Sequence, residues 1–151
     1  MEKKHLKKIE KLSREFFKKT TFEISFEIRE KEDGLITITA KTDEPQVLIG
    51  ENGRTLLEFQ KILGRILRKQ TKQEFFLDLD INDYKLNKIQ YLREMVAGVA
   101  DRVALDKKEQ SLFPMTSYER RIVHMELAKR NDVKTESLGE GADRRIIIKP
   151  A

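Results

Sequence analysis

Two glycines three residues apart, Gly50 and Gly53, constrain this chain more than any other feature of its sequence. They follow an apolar run at residues 47–49 and precede Arg54, after which the pattern becomes that of an amphipathic helix. Glycine tolerates positive φ and lacks the Cβ that would hold a sugar-phosphate strand away. The amides of such a turn, together with the next helix N-terminus, face an anion. The pattern favours a phosphate contact, although glycine pairs also occur in ordinary turns.

Alternating apolar and polar residues on both sides of the glycines predict strands. Residues 22–29 and 36–41 each alternate with period two, and Asp33-Gly34 between them is a strong turn signal, so they predict an antiparallel hairpin. Residues 75–81 alternate in the same way and predict a third strand. Helical spacing predicts an opening helix over about residues 3 to 19, a short helix from Pro45 and a long helix after the glycines.

The long helix after the glycines carries a line of basic residues, Lys61, Arg65 and Arg68, apart from its apolar face. Together with the lysine-rich opening helix, this line predicts an electrostatic track for a nucleic-acid strand. Binding along such a track would be salt-sensitive because counterions are released.

The second half of the chain has an independent helix-rich pattern. From Asp83, a long helix ending near Leu105 is predicted by apolar residues at helical spacing, namely Leu86, Ile89, Val96, Val99 and Val103. Thr116 and Glu119 have the spacing of a capping box, which predicts that a helix opens there. That helix holds Arg120 and His124, which share one face because they are four residues apart. Short strands are predicted at residues 111–113, 133–137 and 144–149.

Composition limits the kinds of function. The chain has 31 Lys and Arg against 26 Asp and Glu, a net charge of +5, and no cysteine. Disulfide and thiolate chemistry are therefore excluded, and a reducing cytoplasm is the expected compartment. With His5 and His124 as the only histidines and no hydrolase or metal-ligand motif, we expect no catalysis, no metal and no cofactor. No apolar run suffices for direct membrane insertion or a signal-peptide core.

The element order and the glycine turn resemble a type II, bacterial KH domain over residues 1–82. This resemblance implies that Gly50, Glu51, Asn52 and Gly53 clamp the backbone of about four nucleotides. Many KH loops carry Lys or Arg where this one has Glu51 and Asn52, so a weak contact is expected, with Arg54 as compensation. An apolar wall for the bases is implied at residues 47–49 and 36–40, which would otherwise fill the core.

Arg-x-x-x-His on a helix is the signature of the RxxxH (R-three-H) domain. Its surroundings, Phe113-Pro114-Met115 before it, Tyr118 to His124 within it and Glu136 to Arg145 after it, resemble the Jag family, also called SpoIIIJ-associated proteins. The family joins a KH domain to an RxxxH domain in that order. Many members carry a further small N-terminal domain, whereas the residues here start with the KH helix, which puts functions of that domain in doubt.

The expected fold class is α+β, with a type II KH domain (α-β-β-α-α-β) at residues 1–82. An RxxxH domain at residues 84–151 would follow, with two helices against a short, mostly antiparallel sheet.

The resemblance implies an RNA-binding protein for single-stranded or loop RNA, acting as a bacterial post-transcriptional regulator or RNA chaperone. A second KH-domain protein is an implied partner. The implied contacts in the second domain are Arg120, Arg121, His124, Arg144 and Arg145. Arg120 can hold a phosphate by two parallel N–H bonds, and His124 can stack or donate. Alternatively, His124 bonds a backbone carbonyl of the next strand. The competing functions are single-stranded DNA binding and a protein adaptor linked to a membrane insertase or cell-envelope regulation.

Overall fold

A computed structural model describes residues 3–151 and has a mixed α/β fold. The chain divides into two compact units, Met1–Tyr84 and Lys85–Ala151. The first unit contains α1 (Lys3–Lys18), β1 (Ser25–Glu30), β2 (Leu35–Lys41), α2 (Pro45–Ile49), α3 (Arg54–Thr71) and β3 (Phe76–Ile81). After it come α4 (Tyr84–Asp106), β4 (Gln110–Ser111), α5 (Ser117–Leu127), β5 (Val133–Leu138) and β6 (Arg145–Pro150).

The sheet of the first unit has the order β1-β2-β3, with β2 in the centre. β1 pairs antiparallel with β2, and β3 pairs parallel with it, so that Ile38 lies between Ile28 and Leu79. Because successive side chains alternate across a strand, Ile36, Ile38 and Ala40 all enter the core. Buried residues of the helices, among them Ile9, Phe17, Leu56, Leu63 and Leu67, complete this core.

The predicted elements of the first unit are present with shifted ends. The first strand begins at Ser25 rather than at residue 22, because its partner β2 ends at Lys41, which pairs with Ser25. Phe22 and Ile24 nevertheless pack against the core. The third strand begins at Phe76, whose side chain is exposed, whereas Phe75 before it is buried.

The second unit packs α4 and α5 with an antiparallel sheet of order β4-β6-β5. Ile146 and Ile148 of the central strand are fully buried and meet Val123 and Leu127 of α5 and Val96 of α4 in one core. The two expected helices and the antiparallel sheet are therefore present.

Two details of the second unit differ from the prediction. Leu86 is exposed rather than part of the buried stripe, which instead begins at Leu92 and continues through Val96, Val99, Ala100 and Val103. The strand predicted at residues 111–113 is Gln110–Ser111, which is in register with β6. Leu112 donates its amide to the Ile146 carbonyl at 2.8 Å, and Phe113 is about half exposed. The sequence pattern identified the helix and the strand. It could not show how much of the helix is covered by other elements or how many residues of the strand pair with β6.

Candidate nucleic-acid interface

The glycine loop joins α2 to α3 through a short 3-10 turn, Glu51–Gly53. Gly50 has φ 71° and ψ −178°, and Gly53 has φ 77° and ψ 14°, so both need conformations that side chains resist. Asn52 between them has φ 53°, which asparagine accepts more readily than most residues. The positive φ expected at this bend is confirmed.

The two glycines are also required by their neighbours. A Cβ on Gly50 would lie 2.1 Å from Thr55 Oγ1, inside the van der Waals limit. A Cβ on Gly53 would lie 2.9 Å from the ring of Tyr84. The loop is thus held by packing beneath it as well as by its own dihedral angles.

The tip of the loop is open to solvent. Glu51, Asn52 and Arg54 are exposed, while Gly50 and Gly53 are partly covered. Further along α3, Lys61 and Arg65 are exposed too, and Lys61 pairs with Glu58 at 2.9 Å. One stripe of α3 therefore starts at the loop and presents three cations, Arg54, Lys61 and Arg65.

One expectation for this region is wrong, and the residues of the apolar wall follow the alternative interpretation, in which they fill the core. Arg68 does not continue the basic line, because its guanidinium donates to the Phe75 carbonyl at 3.2 Å and lies against the Phe75 ring. The proposed apolar wall is mostly core, since Ile36, Ile38, Ala40 and Leu48 are buried. Val47 is the exposed member of that set, at 58 %.

In the second unit, α5 begins with the expected capping box. Thr116 Oγ1 accepts from the Glu119 amide at 3.3 Å, and the Glu119 carboxylate accepts from the Thr116 amide at 2.7 Å. Glu119 is buried and also pairs with Lys88 of α4 at 2.7 Å. Burial raises the pKa of Glu119, but the bonds from Lys88 and Thr116 outweigh it, so the pKa lies below the usual value.

The arginine and histidine of the signature are both partly buried and bonded within the unit. Arg120 donates from one terminal nitrogen to the Met115 carbonyl at 2.7 Å. His124 Nδ1 shares a hydrogen bond with Thr135 Oγ1 at 2.7 Å, and its Nε2 shares one with Ser137 Oγ at 3.2 Å. The expected partner of His124 on the next strand is thus a pair of hydroxyl groups rather than a carbonyl. These bonds tie α5 to β5 and to the segment before α5.

His124 predicts a pH dependence of stability for the second unit. Burial, and after it the charge of Arg120, lower the pKa of His124 below its usual value of 6.5. The unfolded chain then binds the proton more readily, so the free energy of unfolding falls as the pH drops below about 6.5. Urea unfolding followed through amide NMR signals of β5 at pH values from about 7.5 down to about 5.5 measures this slope.

His124→Gln is the matched variant for that measurement, because glutamine bonds hydroxyl groups but does not titrate in this range. The slope should flatten in this variant. An equal slope in both proteins would show that another group titrates. Protonation of Glu119 lowers the free energy of unfolding only at lower pH, near and below the usual pKa range of carboxyl groups.

The remaining basic candidates lie on α5 and at the start of β6, where the Arg144 carbonyl accepts from the Met115 amide at 3.1 Å. Arg121 and Arg144 are exposed, and Arg145 donates to the Asp143 carbonyl at 3.0 Å. Arg121 shares a shallow groove with Tyr118 and Met125, neither of which was predicted as a site residue. Their spacing on α5, three and four residues apart, was the available signal.

Residues 3–151 contain neither a metal-binding cluster nor a membrane-spanning helix. Over this range, no group of three or more His, Asp or Glu side chains is arranged to hold a metal ion. Over the same range, no helix combines the length and apolar character needed to span a membrane.

Comparison with known proteins gives a domain and a set of relatives. Residues 90–150 match the family model of the R-three-H (RxxxH) domain. The chain is 32% identical to RNA-binding protein KhpB of Clostridium symbiosum over 126 residues, which is 83% of this chain and 56% of that protein. It is 32% identical to RNA-binding protein KhpB of Bacillus subtilis (strain 168) over 108 residues, 70% of this chain and 52% of that protein.

A third protein of the same name, from Lactiplantibacillus plantarum, is 29% identical over 112 residues, 74% of this chain and 35% of that protein. The chain thus spans about half the length, or less, of the curated relatives that it matches. Since the relatives match over most of this chain and the domain match contains Arg120 and His124, the chain belongs to the Jag family.

Proposed function

We propose that this chain is an RNA-binding protein that engages single-stranded or loop RNA and acts as a bacterial post-transcriptional regulator or RNA chaperone, without catalysis. The observation that carries the proposal is the similarity to relatives named RNA-binding protein over 70–83% of the chain. The site of action is the cytoplasm. The proposal includes a second KH-domain protein as a partner.

The first binding module in this proposal is a type II KH domain at residues 1–82. The element order α-β-β-α-α-β and the exposed glycine loop between α2 and α3 support it. Backbone amides of Gly50, Glu51, Asn52 and Gly53 cradle phosphates, and side chains along α3 extend the contact, namely Arg54, Lys61 and Arg65. Glu51 weakens the cradle by like-charge repulsion.

The second binding module is the RxxxH domain at residues 84–151, with five proposed contact residues: Arg120, Arg121, His124, Arg144 and Arg145. Arg121 and Arg144 are the exposed cations of this set. Arg120 uses one N–H on the Met115 carbonyl, and its guanidinium has five N–H donors in all. Its remaining donors supply the phosphate bond, while His124 orients the helix that carries them.

Equilibrium binding of labelled RNA and DNA oligonucleotides at several salt concentrations tests the proposal. RNA affinity should fall as salt rises, because each phosphate contact releases counterions. If single-stranded DNA bound more tightly than RNA, DNA rather than RNA would be the ligand. Absence of salt-dependent binding to every single-stranded RNA and DNA would refute the proposal and favour a protein adaptor.

Asn52→Asp should weaken RNA binding about threefold at low salt, because a second carboxylate at about 6 Å from a phosphate costs about 0.7 kcal/mol in water. Aspartate accepts the left-handed conformation of Asn52 and has the same size, so the fold is retained. Fluorescence anisotropy with a uridine oligomer measures the change.

Gln73→Glu is the matched control for Asn52→Asp. Gln73 is exposed and lies just beyond the far end of α3, whose 18 residues extend for about 27 Å from the glycine loop. Gln73→Glu adds the same charge to the same unit as Asn52→Asp does, and it should leave the RNA affinity nearly unchanged. Equal affinities of the two variants would mean that the loop does not contact RNA.

A further inference from the structure

A shallow groove of about 300 Å³ runs between α4 and α5 within the second unit. Its lining combines apolar groups with cations: Ile89, Arg93, Tyr118, Arg121, Met125 and Lys129. Tyr118 is 63 % exposed and Met125 is 61 % exposed. An aromatic ring and a thioether that lie open in one groove beside positive charges provide both apolar and polar groups for a ligand.

The charge of the groove selects the kind of ligand. Glu126 is its single carboxylate, and it pairs with Lys129 at 3.0 Å and with Arg93 at 3.5 Å. Three cations therefore face one carboxylate. Arg121 makes no hydrogen bond or ion pair with any residue in the described part of the chain. The groove has a net positive charge, and the Arg121 guanidinium, which lines the same groove as Tyr118, is available to an anion.

The groove and the signature pair lie on different sides of α5. Arg120 and His124 point to the Met115 carbonyl and to the β5 hydroxyl groups. Tyr118 and Met125 are seven residues apart and share a face about 120–140° around the helix from that pair. The signature pair thus fixes the rotation of α5, and this rotation determines which residues the groove displays.

We infer that the α4–α5 groove binds single-stranded RNA, with one base stacked on Tyr118 and the neighbouring phosphates on Arg121 and Arg93. This inference rests on the proposed RNA-binding function and adds a contact surface to it. Aromatic side chains beside cations bind single strands with little sequence preference, because every base offers a π-face to stack. In this arrangement Arg120 and His124 also position the residues of the groove, in addition to their proposed RNA contacts on their own face of α5.

Tyr118→Ala should weaken the binding of a uridine oligomer about tenfold, the order expected for one lost base stack. Tyr118→Phe keeps the ring and should stay within about twofold of the unaltered protein. Tyr91→Ala is the matched control, because Tyr91 is 61 % exposed on α4 and does not line the groove. Thermal unfolding of each variant verifies that the fold is retained.

A spectroscopic measurement separates stacking from a purely structural effect. The chain has three tyrosines and no tryptophan, so a Tyr84→Phe, Tyr91→Phe variant reports the fluorescence of Tyr118 alone. Addition of the uridine oligomer should quench this fluorescence, and Arg121→Ala should shift the quenching to higher RNA concentration. Arg102 is an exposed cation of α4 outside the groove, so Arg102→Ala should leave the quenching at the same RNA concentration.

The outcomes distinguish failure of the inferred groove contact from failure of the proposed RNA-binding function. If the unaltered protein binds RNA and Tyr118→Ala binds it as tightly as Tyr91→Ala, the groove is not an RNA site. A protein would then be the candidate partner for the groove. Unquenched Tyr118 fluorescence at saturating RNA overturns the stacking contact. If the unaltered protein binds no RNA, the proposed function itself fails, and the inference fails with it.

Discussion

Replacing Gly50 by alanine is expected to lower the free energy of unfolding of the first unit by about 2–5 kcal/mol and to abolish RNA binding by the loop. At φ 71° and ψ −178° the backbone of Gly50 lies in a region that is almost confined to glycine. The added Cβ would also lie 2.1 Å from Thr55 Oγ1 and 2.8 Å from Thr55 Cβ. The start of α3 must therefore move, and with it the amides proposed to face phosphate. Urea unfolding followed through first-unit NMR signals measures the loss.

Gly34→Ala is the control for an alanine at positive φ where no neighbouring atom is in the way. Gly34 has φ 70°, nearly the same as Gly50, but a Cβ there would meet nothing within 4 Å. Its replacement should cost only backbone strain, on the order of 1 kcal/mol. Equal losses for Gly34→Ala and Gly50→Ala would show that Thr55 yields without cost and that the loop is not held by packing.

Replacing Glu119 by alanine should lower the free energy of unfolding of the second unit by about 2–4 kcal/mol. The change removes the acceptor of the Thr116 amide and the partner of Lys88, whose side chain is 27% exposed. Removal of the anion beside a partly buried cation is costly, and the first turn of α5 loses half of its capping box. Amide NMR signals of α5 during urea unfolding measure the effect.

Glu119→Gln divides this loss into its two parts. Glutamine can still accept from the Thr116 amide but cannot pair as an anion with Lys88, so an intermediate loss is expected. Glu136→Ala is the surface control, because Glu136 and its partner Lys149 are both exposed, and its effect should be much smaller. A loss for Glu119→Ala no larger than that for Glu136→Ala would contradict a stabilising role of the buried pair.

Most secondary structure could be predicted from the sequence because the patterns are local. Period-two alternation identified β2 and β3, and the capping box identified the start of α5 within one residue. The ends of β1 and β4 could not be predicted, because a strand ends where its pairing with the partner strand stops, and the partner lies in another part of the chain. The exposure of Leu86 was missed because helical spacing shows which residues share a face but not how far that face is covered.

For the candidate site, too, some features follow from local sequence and others depend on the tertiary structure. The sequence by itself determined the glycine bend, since positive φ at Gly50 and Gly53 follows from the residue type and its context. It also determined that Arg120 and His124 share a helix face. Only the tertiary structure decided that this face is occupied by hydroxyl groups of β5 and by a carbonyl, and that Tyr118 and Arg121 line an open groove with α4. Helical spacing places residues on a face, but the neighbouring elements decide whether that face bonds within the protein or remains open to a ligand.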